Sequence, residues 1–431
     1  MCQRWRQVVL ASPSRLNLQI FCTHGTPVRK NLDIWPTFPI HIEYLYDKTI
    51  EGMDEDNIIA ALEHPDRVSA VSLSLTGPQL GKVIAVMQEP FPALTHLFLT
   101  RKSNDFPVGP VLPSEFLGRS APCLRNVELV GIPFPALRAL LLSASDLVTL
   151  RLIDIPQIGY IPPQAMVVAL ATLTRLEDLR FGFKSSASRP DRIHLYPVTR
   201  IVLPSLVSFD FHGIREYLED FVARINAPRL HKIWICYFNQ LVDFEIPCLW
   251  QFIECSKGLN RPMRCLVEFQ NDRVTFSASP TKSSGDFPPH IDIDIRCKGI
   301  DWQFSHLSQA INQISAVFIH FAIISHSINP EPEDMGDIEW LELLRPFSSI
   351  RTLFVSKKIA GHISRSLENT AMVMATEVFP ALDMLCLEGQ PVSSVHKFIS
   401  TRLEPGRPVT TVDTRRTFEE RLMSYVNQEI W

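Results

Sequence analysis

Glycine is scarce in this sequence, with 17 residues among 431, and no two glycines have the spacing of a phosphate-binding loop. Turns of the type Gly-x-Gly-x-x-Gly or Gly-x-x-x-x-Gly-Lys let backbone N–H groups approach a nucleotide phosphate. The Gly-x-Ser-x-Gly turn that carries the nucleophile of many hydrolases is missing as well. The sequence therefore gives no support to a nucleotide-binding enzyme or to that class of hydrolase.

Metal-ligand spacing is also absent, since neither Cys-x-x-Cys nor His-Glu-x-x-His occurs, and a zinc site has no sequence support. His290, Asp292 and Asp294 come closest, because alternate residues share one face of a strand. A strand edge that enters solvent gives the same pattern, and we favour that interpretation. We nominate no catalytic, cofactor-binding or metal-binding residue and expect a protein that is not an enzyme.

Strong charge, long apolar runs and paired cysteines are lacking too. The net charge of −4 provides no basic field for nucleic acid or an anionic membrane. The longest apolar stretch, 314–324, is too short to span a bilayer, and the first residues do not have the pattern of a signal peptide. Nine irregularly spaced cysteines are typical of reduced thiols. We expect an intracellular soluble protein of the cytoplasm or nucleus that binds neither nucleic acid nor membrane.

A repeated phrase is what the sequence does contain: an apolar anchor, two residues, an apolar residue, one residue and an apolar residue. Leu94, Leu97 and Leu99 form one copy. Successive anchors stand at 68, 94, 124, 147, 176, 206 and 230, so the steps run from 23 to 30 residues. Leucine-rich repeats have periods of roughly 20–29 residues. Further copies begin at 350 and 382, and five anchors follow a proline by two residues: Pro92, Pro122, Pro204, Pro228 and Pro380.

The phrase predicts an α/β fold, an irregular leucine-rich-repeat solenoid with a curved parallel sheet and outer helices. Its last two apolar positions fall on one face of a short strand, and the intervening segments have helical spacing, as in Leu80, Val83 and Ile84. Neither element buries its apolar face alone, but stacked neighbours do. We assign the array to 65–400 with an exposed loop inserted at 277–289. Residues 15–64 then form a linker and N-terminal capping repeats, and 401–431 form a C-terminal tail or cap.

The N-terminal segment carries a family resemblance. Residues 2–13, Cys-Gln-Arg-Trp-Arg-Gln-Val-Val-Leu-Ala-Ser-Pro, resemble the closing helix of an F-box. Residues 16–18, Leu-Asn-Leu, and 32–36, Leu-Asp-Ile-Trp-Pro, resemble the linker of fungal, basidiomycete-type F-box proteins whose remainder is leucine-rich repeats. The resemblance is close over about the first 45 residues and rests on the repeat pattern beyond them.

The resemblance implies a substrate-recognition subunit of an SCF-type cullin–RING ubiquitin ligase. Residues 1–14 would be the remnant of a truncated F-box, in which Cys2, Trp5 and Val8 face a Skp-type adaptor or the F-box core. The ligase's active cysteine would lie in another protein.

Residues between the apolar anchors would form the concave face and bind an unknown target protein. Aromatic and arginine side chains at such positions fit the composition of binding hot spots. The candidates are Phe98, Arg125, Arg151, Arg180, Lys232 and Trp234. Two alternatives remain. One is a leucine-rich-repeat scaffold without a ligase role, derived from a decayed F-box copy. The other is an α/β small-molecule enzyme, which would need a glycine-rich turn after a strand.

Overall fold

The computed structural model describes residues 4, 19–32, 37–45, 50, 52–102, 109–185, 200–238, 244–259, 263–280, 290–297, 300–311, 318–325, 340, 343–374, 379–403, 408–409 and 411–413. They form an α/β fold with a large, mostly parallel sheet. The chain divides into two compact units, unit 1 (1–210 with 224–227) and unit 2 (211–223 with 228–431). In the described part, no helix combines the length and the apolar composition needed to cross a membrane.

Unit 1 alternates short strands with short helices. Strands β1 to β7 pair in sequence order, each parallel to the next. The elements are β1 (Ile20–Cys22), α1 (Val28–Asn31), β2 (Ile40–Tyr44), α2 (Gly52–Leu62), β3 (Val68–Leu75), α3 (Gly77–Val86), β4 (His96–Arg101), β5 (Asn126–Val130), α4 (Leu137–Leu141), β6 (Thr149–Ile155), α5 (Pro163–Leu170), β7 (Asp178–Phe183) and β8 (Ile201–Val202), with 3-10 turns at Phe116–Arg119 and Gln157–Gly159. Strand β9 (Ser208–Gly213) contributes residues to both units, and β10 (Ile225–Asn226) pairs with β8.

Unit 2 departs from sequential order. Its elements are α6 (Arg215–Val222), β11 (Lys232–Tyr237), α7 (Pro247–Glu254), β12 (Met263–Phe269), β13 (Arg273–Pro280), β14 (His290–Arg296), α8 (Ile300–Ile311), β15 (Phe318–Ser325), β16 (Thr352–Val355), α9 (Lys357–Met374), β17 (Met384–Leu387), α10 (His396–Leu403) and β18 (Thr411–Asp413), with 3-10 turns at Arg345–Phe347 and Val392–Val395. The spatial order is β11-β14-β13-β12-β15-β16-β17-β18. Strand β13 is antiparallel to both of its neighbours, β12 and β14.

The repeated phrase forms a recurring turn before several strands. Leu94, Leu124 and Leu147 are fully buried, and the N–H of each donates to the carbonyl three residues earlier. The next residue then donates across to the preceding repeat, as Thr95 does to Ser69 and Arg125 to Thr95. The same i to i−3 bond is made by the anchors Leu176, Leu206, Ile350 and Leu382. The predicted strands and the helix around Leu80 are confirmed, and each apolar anchor begins a new layer of the core.

The predicted loop at 277–289 begins too early, because residues 277–280 belong to β13 and 281–289 lie outside the described residues. Val274, Phe276 and Ala278 are buried, so Thr275 and Ser277 between them belong to the outward face of a strand. Gln270 closes a tight turn by donating its N–H to the carbonyl of Arg273, 2.9 Å away. The repeat pattern predicted a parallel sheet. The β12–β13 hairpin makes the observed sheet mixed, because β13 is antiparallel to both of its neighbours.

Helix α10 runs through the predicted boundary at 400–401. Arg402 is 1% exposed, and its guanidinium donates to the carbonyls of Phe379, Pro380 and Leu382 at 2.9, 3.4 and 3.3 Å. The start of the predicted tail is thus packed against the turn that precedes β17.

Candidate functional site

The outward side chains of unit 1 form two rows across adjacent strands, which we call the open face. On β2, β4, β5 and β6 they alternate with the buried side chains of the core, whereas Ala70 on β3 is itself buried. The first row is Phe21, His41, Ala70, His96, Asn126, Thr149 and Asp178. The second row is Glu43, Ser72, Phe98, Glu128, Arg151 and Arg180. Parallel pairing in register places these residues beside one another although the chain separates them by about one repeat.

Cross-strand ion pairs occupy one end of the open face. Arg151 donates from Nε and Nη2 to Asp178 Oδ2, at 2.9 and 2.6 Å, and from Nη1 to Glu128 Oε2 at 3.4 Å. The hydrogen bond to Asp178 raises the pKa of the Arg151 guanidinium. Arg180 Nε lies 3.0 Å from Asp210 Oδ2. Both arginine side chains keep about 40% of their surface exposed, 41% for Arg151 and 38% for Arg180, so they are oriented yet accessible.

Burial changes the acidity of Asp210 on β9. It raises the pKa of that carboxyl to about 6, against the opposing effect of the Arg180 guanidinium. The charge of this end of the open face therefore depends on pH in the mildly acidic range.

The other end of the open face is aromatic and imidazole-rich. Phe21 is 51% exposed and stacks on His41, with ring centroids 5.1 Å apart. His96 is exposed on β4. Its Nδ1 lies 2.8 Å from Thr95 Oγ1. Desolvation lowers the pKa of His96, and the neighbouring His41 and Arg125 lower it further.

Arg125 occupies the turn before β5 and is exposed. Its backbone is fixed on both sides, because its N–H donates to Thr95 and its carbonyl accepts from Val148 at 2.9 and 2.8 Å. The side chain therefore projects from a rigid turn beside His96.

Lys232 and Trp234 belong to unit 2, where they pair in register with His290 and Asp292. Trp234 is 40% exposed. These two candidates are neighbouring outward residues of one strand, β11, within that unit.

The His290–Asp292–Asp294 cluster is a polar network. Ser277 donates to Asp292 Oδ1 at 2.9 Å, and His290 Nε2 lies 3.8 Å from Asp292 Oδ2. A carboxylate between a hydroxyl and an imidazole is the wrong order for activating a serine, which needs the base at the hydroxyl. Asp294 binds Arg273, and burial raises the pKa of Asp294. Among the residues that the structure describes, no group of three or more His, Cys, Asp or Glu side chains is arranged to hold a metal ion.

Three buried thiols, those of Cys22, Cys236 and Cys297, do not have the environment of a nucleophile. Burial raises the pKa of Cys22 and of Cys236 to about 11 and that of Cys297 to about 12. A reactive cysteine needs a lowered pKa and access to solvent, whereas these three are buried.

The structure brings Phe98, Arg151 and Arg180 into one row. The adaptor-facing candidates Cys2, Trp5 and Val8 lie outside the described residues. Sequence reasoning missed Phe21 and His41 because the first sixty residues do not repeat the phrase. The alternation of Ile40, Ile42 and Tyr44, which predicts a strand, contained the signal for His41. No protein-family model and no curated protein matches the sequence.

Proposed function

We propose that this chain is an irregular leucine-rich-repeat solenoid that binds a target protein on its open face. We further propose that it serves as the substrate-recognition subunit of an SCF-type cullin–RING ubiquitin ligase. The observation that carries the binding role is the second row of the open face. There an aromatic ring, two arginines and a glutamate are aligned on four consecutive strands.

The repeated turn supports the solenoid. Seven anchors make the same i to i−3 hydrogen bond, and β1 to β7 stack in chain order. Each repeat from β1 to β7 therefore contacts its sequence neighbours, as the repeats of a solenoid do.

The composition of the open face supports protein binding. Aromatic and arginine side chains are enriched at interfaces, and Arg151 and Arg180 are already oriented by Asp178 and Asp210. Side chains that are fixed before binding lose less rotamer entropy when a partner docks. A receptor of this kind contributes proximity and orientation, while the chemistry is done by the ligase.

Adaptor binding is the test of the ligase role. The full 431-residue chain would be co-purified with a Skp-type adaptor, with a one-to-one complex as the expected result. Trp5→Ala should abolish the complex. Trp302→Ala is the matched control, because Trp302 is a 49% exposed tryptophan on α8. A folded wild-type chain that fails to bind the adaptor would overturn the ligase role and favour the scaffold.

Target binding is tested separately with the double variant Arg151→Glu and Arg180→Glu. We expect it to retain the adaptor and to lose ubiquitylation of the target in a reconstituted reaction. Arg138→Glu makes the same charge reversal at an exposed position of α4 and should leave both readouts unchanged. Equal loss with Arg138→Glu would contradict binding on the open face.

A further inference from the structure

Three cationic or titratable side chains lie together at the aromatic end of the open face. His41 and His96 occupy the same row, with Ala70 between them. Arg125 immediately precedes Asn126, the residue in register with His96. Ala70, the residue between the two imidazoles, has a small side chain.

The hydrogen bonds of Thr95 determine which nitrogen of the neutral His96 ring carries the proton. Thr95 Oγ1 donates its only proton to the carbonyl of Ser69 at 2.8 Å. It must therefore accept from His96 Nδ1, 2.8 Å away. Nε2 of the neutral ring is then the unprotonated nitrogen, and protonation there creates a second donor without disturbing the bond to Thr95.

The charged side chains of the neighbouring strands and turns determine the electrostatics of this site. Glu43 lies two residues after His41 on β2, in the second row of the open face. Arg67 is held on the carbonyl of Phe38 at 3.3 Å, and Glu128 faces Arg151. Strand β3 has no titratable residue. Protonation of both imidazoles would change the net charge of His41, His96, Arg125 and Glu43 from zero to +2.

We propose that His41, His96 and Arg125 bind the carboxylates of an acidic peptide segment, and that protonation of the two imidazoles strengthens this binding. The inference rests on the proposed function and names the chemistry of the target segment. An apolar residue of the same segment would contact Phe21, whose exposed ring stacks on His41. Protonation of His41 strengthens that stack as well, through the attraction between a cation and an aromatic face.

The sign of the pH dependence follows from linkage. A carboxylate binds a protonated imidazole more strongly than a neutral one, so the complex takes up protons as it forms. Affinity therefore rises as pH falls through the histidine range. Peptide carboxylates remain largely ionised at pH 5.5, since their pKa values lie near 4. We expect binding to be about tenfold tighter at pH 5.5 than at pH 7.5.

The experiment uses the full chain and a tetramethylrhodamine-labelled octapeptide of alternating glutamate and leucine. Anisotropy would be measured at pH 5.5 and 7.5 and at constant ionic strength. A matched peptide with glutamine in place of glutamate should bind at least about tenfold more weakly at pH 5.5. His96→Gln keeps a donor for Thr95 and should reduce the pH ratio from about tenfold to about threefold.

Arg125→Gln should weaken binding at both pH values while leaving their ratio unchanged. Arg138→Gln, the same substitution at an exposed position of α4, should have no effect. Thermal melting curves would verify that each variant is folded.

Four outcomes would overturn the proposal: equal affinity at the two pH values, equal binding of the glutamine peptide, an undiminished pH ratio in His96→Gln, or no binding to the folded wild type. Adaptor co-purification does not involve these residues. A chain that binds the adaptor but not the peptide would lose only this inference, and the reverse result would overturn only the ligase role.

Discussion

In unit 2, two glutamates each cap the N-terminus of the helix that follows their own helix. Glu219 Oε2 and Oε1 accept the N–H groups of Cys248 and Leu249 at 2.8 and 3.0 Å. Glu368 accepts the N–H groups of Lys397 and Phe398, with its shortest distance at 2.9 Å. Both glutamates reach 29 and 30 residues forward. The two sites differ in burial, which makes Glu219→Ala and Glu368→Ala a controlled pair.

Burial should make the first substitution much more costly. Glu219 is 8% exposed, so alanine leaves the buried N–H of Leu249 and the part-buried N–H of Cys248 without an acceptor, at about 1–3 kcal/mol each. We expect Glu219→Ala to lower the free energy of unfolding by about 3 kcal/mol. At Glu368 water replaces the carboxylate, and the loss is that of an ordinary N-cap, about 1 kcal/mol.

Urea denaturation followed by circular dichroism measures the free energy of unfolding of both variants, and both substitutions lie in unit 2. Glu219→Gln retains one acceptor oxygen and should lose about half as much as the alanine variant. Equal losses for Glu219→Ala and Glu368→Ala would refute the argument from burial. A loss below about 1 kcal/mol for Glu219→Ala would refute the role of the carboxylate itself.

Two further substitutions test buried charges. Because the folded pKa of Asp210 is about 6 and its ordinary value is 3.8, the folded state holds a proton that the unfolded state releases, and stability falls as pH rises from about 4 to about 6. Because asparagine does not titrate, the free energy of unfolding of Asp210→Asn relative to wild type should rise by about 2 kcal/mol between pH 4 and pH 7.5, a value discounted for partial exposure. Unfolding free energies measured at both pH values test this rise, and parallel pH profiles would contradict it. Arg402→Met removes the donors to three carbonyls and should cost about 3 kcal/mol. A Tm within about 2 °C of wild type would show that those bonds contribute little.

The strands of unit 1 could be predicted because their signal is local. Leu97 and Leu99 are buried and sit two residues apart, so the strand and its inward face follow from six consecutive positions. The ion pairs could not be predicted in the same way. Arg151 and Asp178 are 27 residues apart, and their contact depends on the register between β6 and β7. A repeat of variable length, from 23 to 30 residues, does not fix that register in advance.

The hairpin of unit 2 shows where repeat analysis stops predicting neighbour order. Alternating burial in β13 has the same sequence signature whether the strand runs parallel or antiparallel to its neighbours. Its place in the sheet depends on distant contacts instead. Trp250 of α7 donates to the carbonyl of Ala310 in α8 and packs edge-on against Phe276 of β13. Clear anchors are missing from 230 to 350, and the strand order is reversed within that same interval. A gap in the phrase therefore has a physical meaning: without the recurring turn, a strand is free to pair away from its sequence neighbour.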